Sequence, residues 1–317
     1  MPDHALSVWL GFTGLVVALL VLDLGVVNRH SHVLRMREAG LWSACLGTLA
    51  LGFGGFLWWR EGSALALEFY SGYLIELSLS VDNLFVFLLI FQYFKVPAEL
   101  QPRVLKWGIF GAIVMRGIMI ALGALLLARF HWITWVFGAI LVITGLRMLK
   151  SGGLEPIEAD RNPIVKLARR FVRMTANYDG DRFFTRMHGA WFATPLFLVV
   201  LVVEWSDLVF AIDSIPAIFA VTRDPFIVYS SNVFAILGLR ALYFVLSGAI
   251  DRFRYLKPAV AAILVFVGLK MGLSAWIHVS TQASLGVILA LLAGGIVVSL
   301  GTSMRPAGSG SREADSG

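Results

Sequence analysis

Nine stretches of about twenty apolar residues, separated by short polar strips, leave this chain few folds to choose from. A helix needs about 20 such residues to cross the roughly 30 Å hydrocarbon core of a bilayer. The stretches run about 5–27, 41–59, 66–94, 104–128, 131–149, 191–221, 226–250, 257–278 and 282–304. None shows the short alternating segments of a membrane barrel. The expected fold is therefore an all-α polytopic membrane protein with about nine transmembrane helices. The first stretch does not read as a cleavable signal peptide. No Lys or Arg precedes it, it is too long for an apolar leader core, and it holds Asp23. Composition agrees, with 58% hydrophobic and 15% charged residues, against about 45–50% and 25% in soluble chains. The single cysteine, Cys45, excludes an intramolecular disulfide, a CxxC dithiol and a thiolate metal cluster.

The net charge of +6 acquires meaning from its placement. Of the 26 Lys and Arg, 19 fall in the strips 28–38, 95–106, 150–190, 251–257 and the tail after 304. The alternate strips hold only Arg60, Arg129 and Arg223. By the positive-inside rule the N-terminus lies outside and the C-terminus in the cytoplasm, in an inner (plasma) membrane. Nucleic acid is not an expected partner; the bilayer is.

The longest strip, 151–190, is then a basic cytoplasmic linker. Asn162-Pro163 suits an N-cap and first turn. Ile164, Leu167, Ala168, Phe171 and Val172 follow on one face, with Lys166, Arg169, Arg170 and Arg173 off it. This reads as a basic amphipathic helix on the anionic inner leaflet, or as a solvated linker helix. The tail 305–317, rich in Gly and Ser, is expected to be disordered.

An internal repeat is concealed by the hydrophobicity. Glu76-Leu77 with Asp82-Asn83 lines up with Asp207-Leu208 with Asp213-Ser214. Phe110 and Arg116 line up with Phe234 and Arg240. The segment from Ala139 to Met148 matches Ala262 to Met271, with Arg147 opposite Lys270. The unit is three helices, and three is odd, so the second copy enters the membrane from the opposite face. Inverted three-helix repeats are shared by many secondary transporters, whose sites lie near the midplane between the copies. An old duplication kept for packing would leave the same pattern. The expected organisation is 1–65 (two helices), 66–150 (repeat unit one), 151–190 (linker), 191–278 (repeat unit two), 279–304 (a last helix) and 305–317 (tail).

Charge inside a membrane helix costs about 2.5–3.5 kcal/mol on insertion scales. Yet Glu76, Asp82, Glu204, Asp207 and Asp213 lie well inside spans, with Glu68 and Asp23 nearer the edges. Glu68, Gly72, Glu76, Ser80 and Asn83 share one helix face, as do Glu204, Asp207, Ala211 and Ser214. Asp82 and Asp213 come six residues after Glu76 and Asp207, about 120° away on a regular helix. Four carboxylates at one ion would need a break. Pro216 supplies one candidate, because it cannot bond the Ile212 carbonyl and would leave that oxygen free beside Asp213. A proline-kinked helix with Asp213 paired to arginine is the alternative. Against the five carboxylates stand Arg116 and Arg240, each well inside its span. The excess of three negative charges suits a divalent cation plus one proton, with the arginines balancing charge otherwise. Arg147 and Lys270 lie near span ends and would snorkel.

The donors on both stripes are oxygens, without His or Cys, which suits Mg²⁺, Ca²⁺ or Mn²⁺ rather than zinc or copper. The six histidines fall in loops or at span edges. No Walker loop, HExxH, GxSxG or dinucleotide fingerprint is present, so neither an enzyme nor an organic cofactor is expected.

At these residues the chain resembles the TerC family, in its Alx-like branch, over nearly its whole length to about residue 300. The likeness rests on Asp23-Leu24-Gly25-Val26, Glu38-Ala39, Trp42-Ser43, Gly72 through Glu76, and Ser80-Val81-Asp82-Asn83. It continues through Phe183 to Arg186, Ala193-Thr194-Pro195, Glu204 to Asp207, Phe210 to Ala217, and Ser231-Asn232 with Phe234 to Arg240. The resemblance implies an integral membrane protein of manganese homeostasis, with Mn²⁺ efflux its favoured activity. The family is also linked to tellurite resistance, and its Alx branch to redox modulation, which a lone Cys45 fits poorly.

The combined expectation is a gradient-driven Mn²⁺ exporter working by alternating access. Glu76, Asp82, Asp207 and Asp213 would bind the ion, with Asn83, Ser214 and the Ile212 carbonyl as neutral donors. Glu68 or Glu204 would carry a coupling proton, since desolvation disfavours a charged carboxylate; Arg116 and Arg240 would balance charge. Two rivals are a non-transporting scaffold or metal sensor acting through the basic linker, and a membrane redox protein.

Overall fold

The computed structural model describes residues 6–22, 36–130, 132–150, 163–187, 189–247, 256–274, 276 and 279–303. Asp23, all six histidines, Asn162 and the tail 305–317 lie outside the described residues, as do the side chains of Asp82, Ile164 and Arg169. The elements are α1 (Leu6–Val21), α2 (Met36–Glu61), α3 (Ser63–Tyr93), α4 (Gln101–Arg129), α5 (Ile133–Lys150), α6 (Pro163–Phe171), β1 (Phe184–Met187), β2 (Ala190–Ala193), α7 (Pro195–Phe219), α8 (Pro225–Ser247), α9 (Leu256–Gly272) and α10 (Thr281–Ser303).

A helix stands at each of the nine expected places. Among the described residues, six are long and apolar enough to cross a membrane, those within α2, α4, α5, α7, α8 and α10. Shorter apolar helices fill Val8–Val21 and Pro258–Gly272. α3, with 31 residues, carries Glu68, Glu76 and Asp82. Helix starts follow local chemistry. Proline, pre-set for the first turn, opens α7 and lies at the start of α4. Asp224 accepts hydrogen bonds from the backbone N–H of Phe226 (2.9 Å) and Ile227 (3.4 Å), capping α8.

The expected span 191–221 needs correcting at its start. Ala190–Ala193 pairs antiparallel with Phe184–Met187, turning at Gly189 with φ +81°. Thr194 is extended, as a residue before proline prefers, so the helix begins only at Pro195. The apolar Ala190-Trp191-Phe192-Ala193 run thus belongs to a small hairpin, the one sheet among the described residues. The linker also folds back on the bundle. Arg103 of α4 pairs with Asp181 and stacks over the Phe183 ring at 5.2 Å. Tyr178 donates to the Phe94 carbonyl at the end of α3 (2.9 Å).

α6 forms as the linker periodicity predicts, but its inner face differs. Val165 is buried in the bundle, whereas Leu167 and Phe171 face away, 53% and 75% exposed. The exposed Lys166 and Arg170 flank them.

α8 is the central helix, almost wholly buried along its apolar length. α3 packs on α8, α4 on α7, and α5 on α9, with further contacts between α3 and α7 and between α4 and α8. α4 shows how polarity is arranged. Trp107, Phe110, Val114, Ile118, Leu122 and Leu125 form an exposed apolar stripe, while Arg116 is buried on the opposite face. A helix that is apolar outside and charged inside suits lipid surroundings. Exposed Trp58, Trp59, Trp132, Trp135 and Trp276 lie near the ends of α2, α5 and α9 that the charge count assigns to one side. Such a set resembles an interfacial aromatic belt.

Candidate functional site

The centre of the bundle is organised by one guanidinium. Arg116 of α4 is 1% exposed and reaches both repeat-matched acids. Its Nε and Nη2 donate to the two oxygens of Asp207 on α7, at 3.1 and 2.9 Å. Its Nη1 donates to Oε1 of Glu76 on α3 and to the Ser214 hydroxyl oxygen at 3.2 Å. Glu76 is 0% and Asp207 4% exposed. A planar five-donor fork makes this possible, since it can serve two carboxylates at once. One positive charge against two negative leaves the cluster one charge short of neutrality. Among the described residues, Glu76 Oε2 has no hydrogen-bond partner.

Glu204 lies one turn before Asp207 on α7 and turns toward α4. A methyl group on Gly111 would overlap its carboxylate, so the glycine makes room for the acid. A small cavity bounded by Asp207, Gly108, Ala112, Val203, Phe87, Ile236 and Leu239 adjoins the pair, joining α3, α4, α7 and α8.

The structure brings together Glu76, Asp207, Ser214 and Arg116 from the expected set, with Glu204 beside them. It does not bring Asp213 to them. Asp213 accepts a hydrogen bond from Thr144 of α5 at 2.9 Å, on the side expected from its offset of about 120°. The break expected at Pro216 is also corrected. α7 runs without interruption through Pro216 to Phe219, and Ile215, Ala217, Ile218 and Phe219 are all buried. Tight packing on both sides of the proline holds the helix. The Ile212 carbonyl therefore belongs to a continuous helix and its side chain points outward, 47% exposed. Asn83 and Arg240 are buried, each 2% exposed. Glu68 sits at the far end of α3, near Thr222, Asp224 and Lys270. Among the described residues, no three Asp, Glu, His or Cys are grouped to hold a metal. Arg116 stands between the acids instead. Thr144 escaped the sequence reading because a threonine in an apolar helix carries no signal of its own.

The TerC family description, "Integral membrane protein TerC family", matches residues 61–306. The chain is 50% identical over 294 residues to the uncharacterized membrane protein STKORF319 of Myxococcus xanthus, covering 93% of this chain and 92% of that one. It is 48% identical to Alx of Escherichia coli (strain K12), provisionally named a membrane-bound redox modulator, over 90% of this chain and 91% of that one. It is 49% identical to the chloroplastic thylakoid membrane protein TERC of Arabidopsis thaliana, over 81% of this chain and 66% of that one. No solved structure matches. Identity at this level over nearly the whole chain, with the family match spanning residues 61–306, places it: the chain belongs to the TerC family of integral membrane proteins.

Proposed function

We propose that the protein exports Mn²⁺ from the cytoplasm across the inner membrane, driven by a gradient. The observation that carries this reading is the pairing of Glu76 and Asp207, matched in sequence and buried together on Arg116. Two acids held by one arginine in a low-dielectric interior form a site where a divalent cation and a guanidinium compete. A cation of charge two on both carboxylates neutralises them fully, and Arg116 is then free to withdraw. The donors are hard oxygens, which suits Mn²⁺ and also Ca²⁺ and Mg²⁺. Glu204 would receive a coupling proton, and Arg240 would balance charge in the second unit. Asp82 and Asp213 would serve the path on either side of the pair.

We read the fold as nine spans, N-terminus outside and C-terminus inside, with two inverted three-helix units. Helix contacts support this. A methyl group on Gly145 would meet Ala261 and Val265, and one on Gly268 would meet Gly138 and Val142. These pairs exchange when 145 is aligned with 268. Rocking of one unit against the other would expose the Glu76–Asp207 pair to each side in turn.

The test is Mn²⁺ uptake into inverted membrane vesicles. Glu76→Gln with Asp207→Asn abolishes uptake on this reading; undiminished uptake refutes it. Competition by Ca²⁺ and Mg²⁺ ranks the ions. The redox reading, suggested by the name of the Alx relative, requires instead that Cys45→Ser disables the protein. The scaffold reading requires that neutralising Arg169, Arg170 and Arg173 does so while the carboxylates are dispensable.

A further inference from the structure

The Glu76–Asp207 pair accounts for Arg116 but leaves a buried amide unexplained. Asn232 of α8 is 0% exposed, and among the described residues neither its Oδ1 nor its Nδ2 has a hydrogen-bond partner. A buried amide that forgoes its hydrogen bonds is destabilising by about 1–3 kcal/mol. Native interiors rarely leave one so.

Its position is fixed by its neighbours along α8. Val228, Asn232, Ala235 and Leu239 recur at steps of four, three and four, one face of the helix. Above Asn232, Val228 belongs to the apolar cluster of Ile75, Leu79, Ile215 and Ile218. Below it, Leu239 joins Leu84, Phe87 and Val203, and lines the small cavity that includes Asp207. Asn232 thus lies on the face turned toward α3 and α7, next to Ser231, which meets α3 at Gly72, one turn from Glu76. The helices approach closely just above, where a methyl group on Gly72 would stand 2.9 Å from the Ser231 hydroxyl.

The facing stripe of α3 is similarly unsatisfied. Among the described residues, Glu76 Oε2, Ser80 Oγ and Asn83 Nδ2 are buried without partners, on residues spaced four and three apart. Arg116 holds Glu76 by its other oxygen, Oε1. The unpartnered Glu76 oxygen and the Asn232 amide therefore lie within about one turn of each other at the α3–α8 interface, a different helix pair from the α4–α7 contact of Arg116.

We propose that Asn232 is a ligand of the transported cation, binding through its amide oxygen together with Glu76 Oε2. This rests on the export reading above and adds to it a position on the α8 side of Glu76. The cation class is a hard divalent ion, since every donor is an oxygen. A neutral amide in place of a further acid keeps the ion from being held too tightly to leave.

The test measures Mn²⁺ binding to the purified full-length protein in detergent, by loss of the free aqueous Mn²⁺ paramagnetic resonance signal. Asn232→Leu is expected to weaken Mn²⁺ about 10–100-fold, the range seen when support of a metal site is removed. Its melting temperature without metal is expected to equal or exceed that of the unsubstituted protein, because an isosteric apolar group removes an unpaired buried amide. Asn232→Asp is expected to bind Mn²⁺ at least as tightly. If Asn232→Leu binds Mn²⁺ undiminished while Glu76→Gln does not bind, the Asn232 assignment falls and the export reading stands. If Asn232→Leu melts well below the unsubstituted protein without metal, the amide serves the fold and the assignment falls. If the unsubstituted protein binds no divalent cation, both fall together.

Discussion

Replacing Arg116 by glutamine probes the heart of the molecule. The substitution removes a guanidinium that is 1% exposed and leaves Glu76 and Asp207 buried with no positive partner. Breaking a buried pair from one side destabilises by about 3–5 kcal/mol, since the remaining charge has neither water nor partner. Two carboxylates are stranded here, so the upper end of that range applies. At roughly 2–4 °C per kcal/mol the melting temperature falls by about 10 °C or more. The loss should vanish when its cause is removed. Arg116→Gln combined with Glu76→Gln and Asp207→Asn restores a neutral, hydrogen-bonded site, and the cycle of variants gives the coupling directly. Mn²⁺ sharpens the test. A cation that replaces the guanidinium stabilises the Arg116→Gln protein by about 2.7 kcal/mol at a hundredfold excess over its dissociation constant. The Glu76→Gln, Asp207→Asn form should gain nothing. The assay is thermal unfolding in detergent with and without the metal. If Arg116→Gln melts within a degree or two of the unsubstituted protein, or neutral acids fail to rescue it, the cluster does not organise the bundle.

Three further outcomes follow from the geometry. Gly145→Ala and Gly268→Ala each drive a methyl group into the facing helix, at 2.7 and 2.8 Å from the carbonyls of Ala261 and Gly138; each should destabilise by about 1–3 kcal/mol in a melting experiment, and equal losses would accord with matched units. Thr144→Val keeps the shape of α5 but removes the 2.9 Å bond to Asp213; a loss of about 0.5–2 kcal/mol is expected, with Arg116 and its acids undisturbed. Burial pushes the Tyr178 hydroxyl up to about 12 from its ordinary 10.0. The folded state therefore keeps its proton more firmly, so the stabilisation is intact below pH 10 and is lost as pH rises toward 12. Limited proteolysis of the linker across that range should show its release, and Tyr178→Phe should abolish this pH dependence.

The division between what was legible in the sequence and what was not has a physical basis. Helix positions were readable because a bilayer demands long apolar runs, and charge in such runs marks function by its cost. Glu76, Asp207 and Arg116 were found in this way. Their mutual arrangement was readable only where periodicity governs it. Glu204, Asp207 and Ser214 share a face of α7, so they turn toward one neighbourhood. Asp213 sits about 120° round the same helix, and its partner Thr144 belongs to α5, a contact set by tertiary packing. The hairpin was hidden for a related reason. Ala190-Trp191-Phe192-Ala193 is as apolar as a helix, and only Pro195 with the glycine turn at 189 decides between them.

Pro216 shows where local chemistry is insufficient. Proline lacks the N–H that would bond the Ile212 carbonyl, which argues for a break. The break is resisted by what surrounds it, since Ile215, Ala217, Ile218 and Phe219 are buried against α3, α8 and α9 neighbours such as Ile75, Val228 and Ile263. Unwinding α7 there would expose these side chains and empty the space they fill, with each large apolar group worth about 1.5–3 kcal/mol of burial. Together they outweigh one lost hydrogen bond of about 0.5–1.5 kcal/mol. The same comparison explains the site. Arg116 is tolerated in the core because two acids and a hydroxyl meet it, and the acids because the arginine does. A cation that takes the acids must therefore move Arg116, and moving Arg116 must disturb α4 against α7. On the export reading, binding to both acids and rearrangement are then one event, coupled through a single side chain.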